Sequence, residues 1–484
     1  MTIKQKTISG LKWSFADNIA NQIIQFVVGI ILARLLSPKE FGLIGMLTIF
    51  VAISQSLIDS GFSQALIRKQ DCSREDYSTV FFFNITVAIC LYLLLFFCSR
   101  FIGIFYNEPI LSLLIKVVGF SLVINSLSVV QRAILSKNIN FKLQTKISII
   151  SSCTSGAIAI WMAFSGWGVW SLVWKTIVQN FMNSTLLWIW NGWRPVLIFN
   201  RNSFREMFGF GSKLMVSGLI NTAFINIYYL VIGKYYSAVD LGFYTRADQF
   251  RKLPSQSIDT VIQRVSYPVL ASIQNDPIRL KRGYKNLIKN VMFITFILMI
   301  GMAAASESLV ITLIGEQWRP VIPLLQLLCF GGMLYPLQAL NLNMLNVKGR
   351  SDLFLKLEVI KKILVIPTII IGVFWGIKIM IAGMIFNSII AYFINSYWSG
   401  KMINYPITEQ LTDLVPSFSI ASVMGICIWL VGFLLSSQHP ELELAIQIFL
   451  GGLIVVSIGH IFKYEAYIEI RQILFNSLIS LKKS

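Results

Sequence analysis

The chain has 484 residues, of which 56% are hydrophobic and only 13% are charged, and its mean hydropathy is +0.71. These proportions exclude an ordinary soluble globular protein, in which about a quarter of the residues are charged. The formal net charge of +19 would suit nucleic-acid binding, but so apolar a chain offers little polar surface to a phosphate backbone.

Apolar runs of about 20 residues, the length that crosses a bilayer, follow one another along the chain. Bounded by charges, Pro or Gly, these runs predict an all-α integral membrane protein with fourteen transmembrane helices. In chain order the predicted helices lie at 13–36, 42–63, 79–99, 110–135, 146–165, 168–190, 211–233, 241–268, 287–306, 320–346, 353–375, 379–399, 413–435 and 443–462.

The first predicted helix follows Lys4, Lys6 and Lys12, as the apolar region of a signal peptide would. No small-residue cleavage site follows and the apolar stretch continues to Leu36, so we expect a retained first helix. With the N-terminus in the cytoplasm, most of the 41 Lys and Arg fall in cytoplasmic segments. This positive-inside pattern predicts a multi-pass protein of the bacterial inner membrane with both termini in the cytoplasm, and it explains the charge without nucleic acid.

The eighth predicted helix, at 241–268, is the most polar one. Its charged residues suggest either a loop or a helix that faces water. They are Arg246, Asp248, Arg251, Lys252, Asp259 and Arg264.

A duplication at an offset of 200 residues favours a membrane helix at this position. Residues 34–42 (RLLSPKEFG) align with residues 234–242 (KYYSAVDLG), and Asn21 aligns with Asn221. The identity is low, so chance similarity is the alternative, but parallel repeats are a known transporter architecture. We therefore predict two pseudo-symmetric six-helix lobes followed by two extra helices and a cytoplasmic tail, with domains at 1–200, 201–402 and 403–484.

Signatures of enzymes and of bound cofactors are missing from the sequence. There is no phosphate-binding G-x-x-x-x-G-K-[ST] loop and no H-E-x-x-H motif, and His439 and His460 are the two histidines. The six cysteines form no C-x-x-C pair, which speaks against a disulfide framework or a metal site. We expect no catalytic residues, cofactor or metal, and energy from an ion gradient, the membrane potential or the substrate gradient.

Ionisable residues inside membrane helices are costly and usually face a water-filled cavity or a partner. The cations here lie in the outer half or near the middle of the membrane. They would form a basic chamber for a diphosphate, because guanidinium groups bind phosphate oxygens through paired hydrogen bonds. These candidate substrate-binding residues are Lys116, Lys175, Arg246, Arg251 and Lys252. The alternative is pairing within the protein, most directly between Asp248 and Lys252, which are four residues apart.

The carboxylates Asp17, Asp59 and Asp259 lie nearer the cytoplasmic side and are candidates for binding a coupling ion. In the first helix Asp17, Asn21 and Gln25 share one face, because they follow at intervals of four residues. Asn21 and Gln25 are further candidate substrate-binding residues, since amides suit sugar hydroxyls. Packing between helices through amide hydrogen bonds is an equal alternative for them.

Residues 33–42 (ARLLSPKEFG), followed by residues 59–67 (DSGFSQALI), resemble the opening of Wzx-type polysaccharide flippases, especially the colanic-acid-exporter-like branch. That family belongs to the multidrug/oligosaccharidyl-lipid/polysaccharide superfamily, and the resemblance extends over the whole chain. It implies V-shaped lobes around a central cavity and alternating access. It also implies undecaprenyl-pyrophosphate-linked oligosaccharides as cargo.

The sequence thus predicts a flippase for lipid-linked O-antigen, capsule or exopolysaccharide repeat units. Its expected partners are the lipid-linked substrate, membrane lipids, and the polymerase and glycosyltransferases of the same pathway. An ion-coupled multidrug exporter of the same superfamily is one alternative, although a basic cavity disfavours cationic drugs. A membrane polysaccharide polymerase or ligase is another, although no long external loop is predicted. A purely structural membrane scaffold would not need buried charges.

Overall fold

A computed structural model describes residues 3–59, 61–262, 266–435 and 439–472, and all regular structure in these ranges is helical. This confirms the all-α fold class. The helices are α1 Ile3–Leu35, α2 Pro38–Asp59, α3 Phe62–Arg68, α4 Arg74–Tyr106, α5 Ile110–Lys137, α6 Phe141–Phe164, α7 Val169–Trp190, α8 Arg201–Tyr235, α9 Ala238–Val261, α10 Tyr267–Ser272, α11 Pro277–Ala304, α12 Ser306–Ile314, α13 Val321–Gly332, α14 Tyr335–Val347, α15 Ser351–Trp375, α16 Ile377–Ile403, α17 Ile407–Leu435 and α18 Pro440–Ile461.

Each predicted span overlaps one of the long helices, or in one case the pair α13 and α14. In the part of the chain that the structure describes, eleven helical segments are long and apolar enough to cross a membrane. The remaining three predicted spans correspond to α7, α9 and α15, which are more polar or more charged. Multi-pass membrane insertion is therefore supported, and the count of fourteen crossings stays a prediction.

The helices form two compact units, residues 1–245 and residues 246–484. In the N-terminal unit α1 packs on α6, α4 on α5, and α2 on α8. Small residues allow these close approaches: a Cβ at Gly156 of α6 would lie 2.6 Å from Val28 of α1, and one at Gly119 of α5 would lie 3.3 Å from Tyr92 of α4. Membrane helices associate through such close packing, because lipid tails supply no hydrophobic force between them.

The two turns that the sequence aligns at an offset of 200 residues fold in the same way. After α1, the backbone N–H and the hydroxyl of Ser37 donate to the Glu40 carboxylate at 2.6 and 2.9 Å. After α8, the hydroxyl of Ser237 donates to the Asp240 carboxylate at 2.6 Å. Both are helix-capping arrangements that satisfy otherwise unpaired groups at the start of α2 and α9.

The helices that follow these turns touch each other reciprocally. A Cβ at Gly42 would lie 1.6 Å from the carbonyl oxygen of Ala238, and a Cβ at Gly242 would lie 1.9 Å from that of Pro38. Each glycine therefore contacts the residue that lies four positions before the other glycine. Only glycine permits backbones to approach so closely.

In the C-terminal unit α11 packs on α17, and α16 packs on α13, α14 and α15. A buried polar chain joins several of these helices. Tyr284 donates to Asn341 at 2.8 Å, Asn341 donates to Ser396 at 3.3 Å, and Ser396 donates to Gln410 at 2.7 Å. Hydrogen bonds of this kind stabilise buried polar groups, because these groups have no water to bond to.

Three lysines spaced by four residues on α11 face carboxylates of α17. Lys281 and Lys285 lie 2.8 and 3.2 Å from Glu409, and Lys285 lies 2.9 Å from Asp413. Lys289 extends the row, 3.7 Å from Asp413. The row fixes the register of α11 against α17.

Candidate substrate site

Asp248, Arg251 and Lys252 form an ionic cluster on α9, which we call the α9 cluster. Nη2 of Arg251 lies 2.6 Å from Oδ1 of Asp248, and Nζ of Lys252 lies 2.6 Å from Oδ2. Positions three and four residues apart share a helix face, so one carboxylate meets both cations. Asp248 is only 2% exposed, whereas both cations are partly accessible.

The pairing that the sequence offered as the alternative for Lys252 is thus present, and it includes Arg251 as well. The three side chains of the α9 cluster carry two formal positive charges and one formal negative charge. The Arg251 side chain is accommodated by Gly332 of α13, where a Cβ would lie 3.1 Å from its Cδ. The cluster is therefore held in place by both charge and packing.

The eighth predicted helix has three further charged residues. Arg246 is half-buried on α9, almost two turns before Lys252. The backbone of Asp259 lies in α9, but its side chain is outside the described part of the structure, as is Arg264. The proposed ion-binding role of Asp259 stays a prediction.

The predicted polar stripe of α1 is tied to α6 by hydrogen bonds. The Asn21 amide donates to the Asp17 carboxylate at 2.7 Å and to the Ser148 hydroxyl at 2.6 Å. Its carbonyl oxygen accepts from the Ser152 hydroxyl at 2.7 Å. These are the contacts expected of the helix-packing alternative, because they use both ends of the amide.

Gln25 continues the same network toward α7. It donates to Gln179 at 3.4 Å, and Gln179 in turn donates to Ser152 at 3.4 Å. The structure thus brings together the polar residues that the sequence placed on one face of α1. A substrate role for Asn21 and Gln25 and an ion-binding role for Asp17 stay predictions.

The other predicted cations of the N-terminal unit lie on α5 and α7. Nζ of Lys116 is 4.8 Å from the centre of the Phe96 ring on α4, which is a cation–π distance. Lys175 is half-buried on α7. The cation–π contact gives Lys116 a packing role beside its predicted role in binding.

Asp59 lies at the cytoplasmic end of α2 by the predicted topology, where the chain turns sharply. Gly61 has a left-handed backbone (φ +67°), and a Cβ there would lie 2.6 Å from the carbonyl oxygen of Gly211. The short helix α3 then packs through Phe62, which is fully buried. This places Ser63 within 2.5 Å of Asp59, to which its hydroxyl donates.

Arg132 lines the same cavity as Asp59 and is a residue that the sequence reasoning missed. It lies within the apolar run of α5, and its Nη2 donates to the Ser128 hydroxyl at 2.7 Å and to the Asn125 side chain. The rule that ionisable residues inside membrane helices face a cavity or a partner also covers Arg132, which lies near the cytoplasmic end of the predicted helix 110–135. The signal was therefore present in the sequence.

The chain is similar to known proteins of polysaccharide biosynthesis. It is similar to the lipopolysaccharide biosynthesis protein WzxC of Escherichia coli, with 30% identity over 81% of this chain and 82% of that protein. It is also similar to the teichuronic acid biosynthesis protein TuaB of Bacillus subtilis, with 27% identity over 93% of this chain and 95% of that protein.

Among solved structures, the fold resembles that of the lipid II flippase MurJ in an inward closed conformation. The TM-score is 0.77 at 16% identity, over 94% of this chain and 99% of that one. Residues 31–323 match the family described as "Polysaccharide biosynthesis protein". The chain belongs to this family, and its resemblance to the Wzx-type flippases is confirmed.

Proposed function

We propose that the protein moves a polyprenyl-diphosphate-linked oligosaccharide from the cytoplasmic to the outer leaflet of the bacterial inner membrane. Membership of a polysaccharide biosynthesis family supports this proposal, since relatives match along most of their length. The observation in the structure that supports a diphosphate headgroup is the α9 cluster, in which a guanidinium group and an ammonium group are held together on one helix face.

The α9 cluster suits a diphosphate for a chemical reason. Arginine presents its N–H donors as a planar fork that matches phosphate oxygens, and lysine adds a compact charge. The Asp248 carboxylate holds both cations in position before the ligand arrives. Preorganised donors bind an anion with a smaller loss of side-chain entropy.

The proposed mechanism is alternating access. The headgroup enters from the cytoplasm while the lipid tail stays in the bilayer, and a change of conformation exposes the headgroup on the other side. In this mechanism the chain crosses the membrane fourteen times and has both termini in the cytoplasm. Two repeats meet near residue 200, and an added pair of helices follows residue 402. Asp17 is the proposed site for a coupling ion. The polymerase and glycosyltransferases of the pathway are proposed partners.

The test is transport by the purified protein in proteoliposomes. The substrate is a fluorescent short-chain polyprenyl diphosphate that carries an oligosaccharide, and the measurement is its loss from the outer surface. We expect Arg251→Gln and Lys252→Gln each to slow transport by about tenfold, because each removes a charge-assisted hydrogen bond to phosphate.

The matched control is Lys378→Gln, which removes an exposed lysine at the start of α16. It should transport at the wild-type rate. No transport by the wild-type protein would contradict the flippase proposal itself. Normal transport by both α9 variants, at normal protein levels, would contradict the assignment of the α9 cluster.

A further inference from the structure

A cavity of about 620 Å³ lies within the N-terminal unit, among α2, α3, α5 and α8. Pockets of roughly 300–1,000 Å³ hold small organic ligands such as one or two sugar rings. Most of its polar wall consists of Gln55, Ser56, Asp59, Ser63, Arg132 and Thr222. The cavity therefore combines one cation, one carboxylate and several groups that both donate and accept hydrogen bonds.

The two charged side chains are anchored separately. Asp59 accepts from Ser63 at 2.5 Å, and Arg132 donates to Ser128 at 2.7 Å on its own helix. The two charges influence each other, but in the described part of the chain their charged atoms form no ion pair within 4.0 Å. The Arg132 guanidinium, which donates hydrogen bonds, and the Asp59 carboxylate, which accepts them, thus line the same cavity without forming an ion pair with each other.

This balance of charge selects among ligands. A diphosphate would gain from Arg132 but would be repelled by Asp59, and an organic cation would meet the opposite conflict. An uncharged sugar is repelled by neither residue, because its hydroxyls can donate to the carboxylate and accept from the guanidinium at the same time. The α9 cluster, by contrast, has two cations for one carboxylate.

We propose that this cavity binds an uncharged sugar of the cargo headgroup, with Asp59 and Arg132 as specificity-determining residues. The inference rests on the proposed flippase function. It also gives Asp59 a role in sugar recognition in place of ion coupling, since a coupling cation bound at Asp59 would be repelled by Arg132.

The experiment compares two ligands on the purified full-length protein. One is farnesyl diphosphate linked to N-acetylglucosamine, and the other is farnesyl diphosphate without a sugar; affinities are measured by titration calorimetry. We expect Asp59→Asn and Arg132→Gln each to weaken the glycosylated ligand by roughly tenfold, the effect of one lost charge-assisted hydrogen bond. The affinity for farnesyl diphosphate should stay unchanged.

Asp71→Asn and Arg74→Gln are matched controls, because both residues are exposed and lie outside the cavity. They should leave both affinities unchanged. Arg132 is bonded within its own helix, so Arg132→Gln requires a check of thermal stability; Asp59 is exposed, and Asp59→Asn alone suffices if the arginine variant does not fold.

Equal weakening of both ligands, or no weakening of either, would overturn the sugar subsite while leaving the flippase proposal intact. Failure of the wild-type protein to bind either ligand would overturn both. Selective weakening of the glycosylated ligand is the result expected here.

Discussion

Asp248 is the residue on which the positions of two predicted substrate-binding cations depend. It is almost fully buried and lies 2.6 Å from both Arg251 and Lys252. The carboxylate therefore has a structural role, because its attraction for both cations offsets the repulsion between them.

We predict that Asp248→Asn lowers the thermal midpoint of the protein, because it leaves two neighbouring cations without their shared counter-charge. Farnesyl diphosphate should raise the midpoint more in the variant than in the wild type, since the ligand then supplies the missing negative charge. Thermal unfolding with and without the ligand measures both effects. Equal ligand shifts in the two proteins would argue against diphosphate binding at the α9 cluster.

Asn21 offers a second prediction at this scale. Asn21→Ala removes two hydrogen bonds between α1 and α6, and interhelical bonds in membrane proteins contribute about 1 kcal/mol each. We expect a lower thermal midpoint with little change in the affinity for farnesyl diphosphate. Asn226→Ala is the control, because the Asn226 amide bonds the Thr222 carbonyl of its own helix. A loss of affinity without loss of stability would favour the substrate role instead.

At the scale of elements, the contact between the starts of α2 and α9 has no room for a side chain. We predict that Gly42→Ala and Gly242→Ala each destabilise the protein by about 1–3 kcal/mol, because the added methyl group must push a helix backbone away. Gly209→Ala on α8 is the matched control, since open space surrounds that position. Thermal midpoints that match the control in both variants would show that the contact is not tight in solution.

The sequence predicted most helices because bilayer thickness sets the length of the apolar runs. The polar helix α9 was ambiguous on its own residues, which suit either a loop or a helix that faces water, and the alignment with residues 34–42 favoured a membrane helix. The predicted helix at 320–346 is in fact two helices, broken before Pro336. Proline fits the first turn of a new helix but not the interior of a continuous one, so Pro336 alone would have predicted this break.

The candidate site was less predictable, since it depends on which helices meet. The shared face of Asp17, Asn21 and Gln25 follows from helical periodicity, but their partners Ser148, Ser152 and Gln179 lie more than a hundred residues away. No sequence pattern around Ser148, Ser152 or Gln179 identifies them as partners of α1. Arg132 was overlooked although its type and setting were visible, because its significance comes from the cavity that it shares with Asp59.

The molecule as a whole carries a prediction about orientation. In a background without the six free cysteines, Lys378→Cys should react with a membrane-impermeant maleimide in intact cells, and Lys401→Cys should react only after the cells are opened. The reason is that the positive-inside pattern places the start of α16 outside and its end in the cytoplasm. The opposite labelling pattern would invert the topology and with it the direction of the proposed transport.

The reciprocal contact of Gly42 and Gly242 has the form of a two-fold dimer interface, in which each copy gives the other the same surface. Such a contact is what two separate copies of an unduplicated ancestor would make with each other. On the hypothesis that the predicted duplication joined two such copies, a single substitution in the ancestor altered both sides of the interface together, whereas in the joined chain each side changes alone. Charged residues such as Arg251 and Lys252 can then occur in one predicted repeat only.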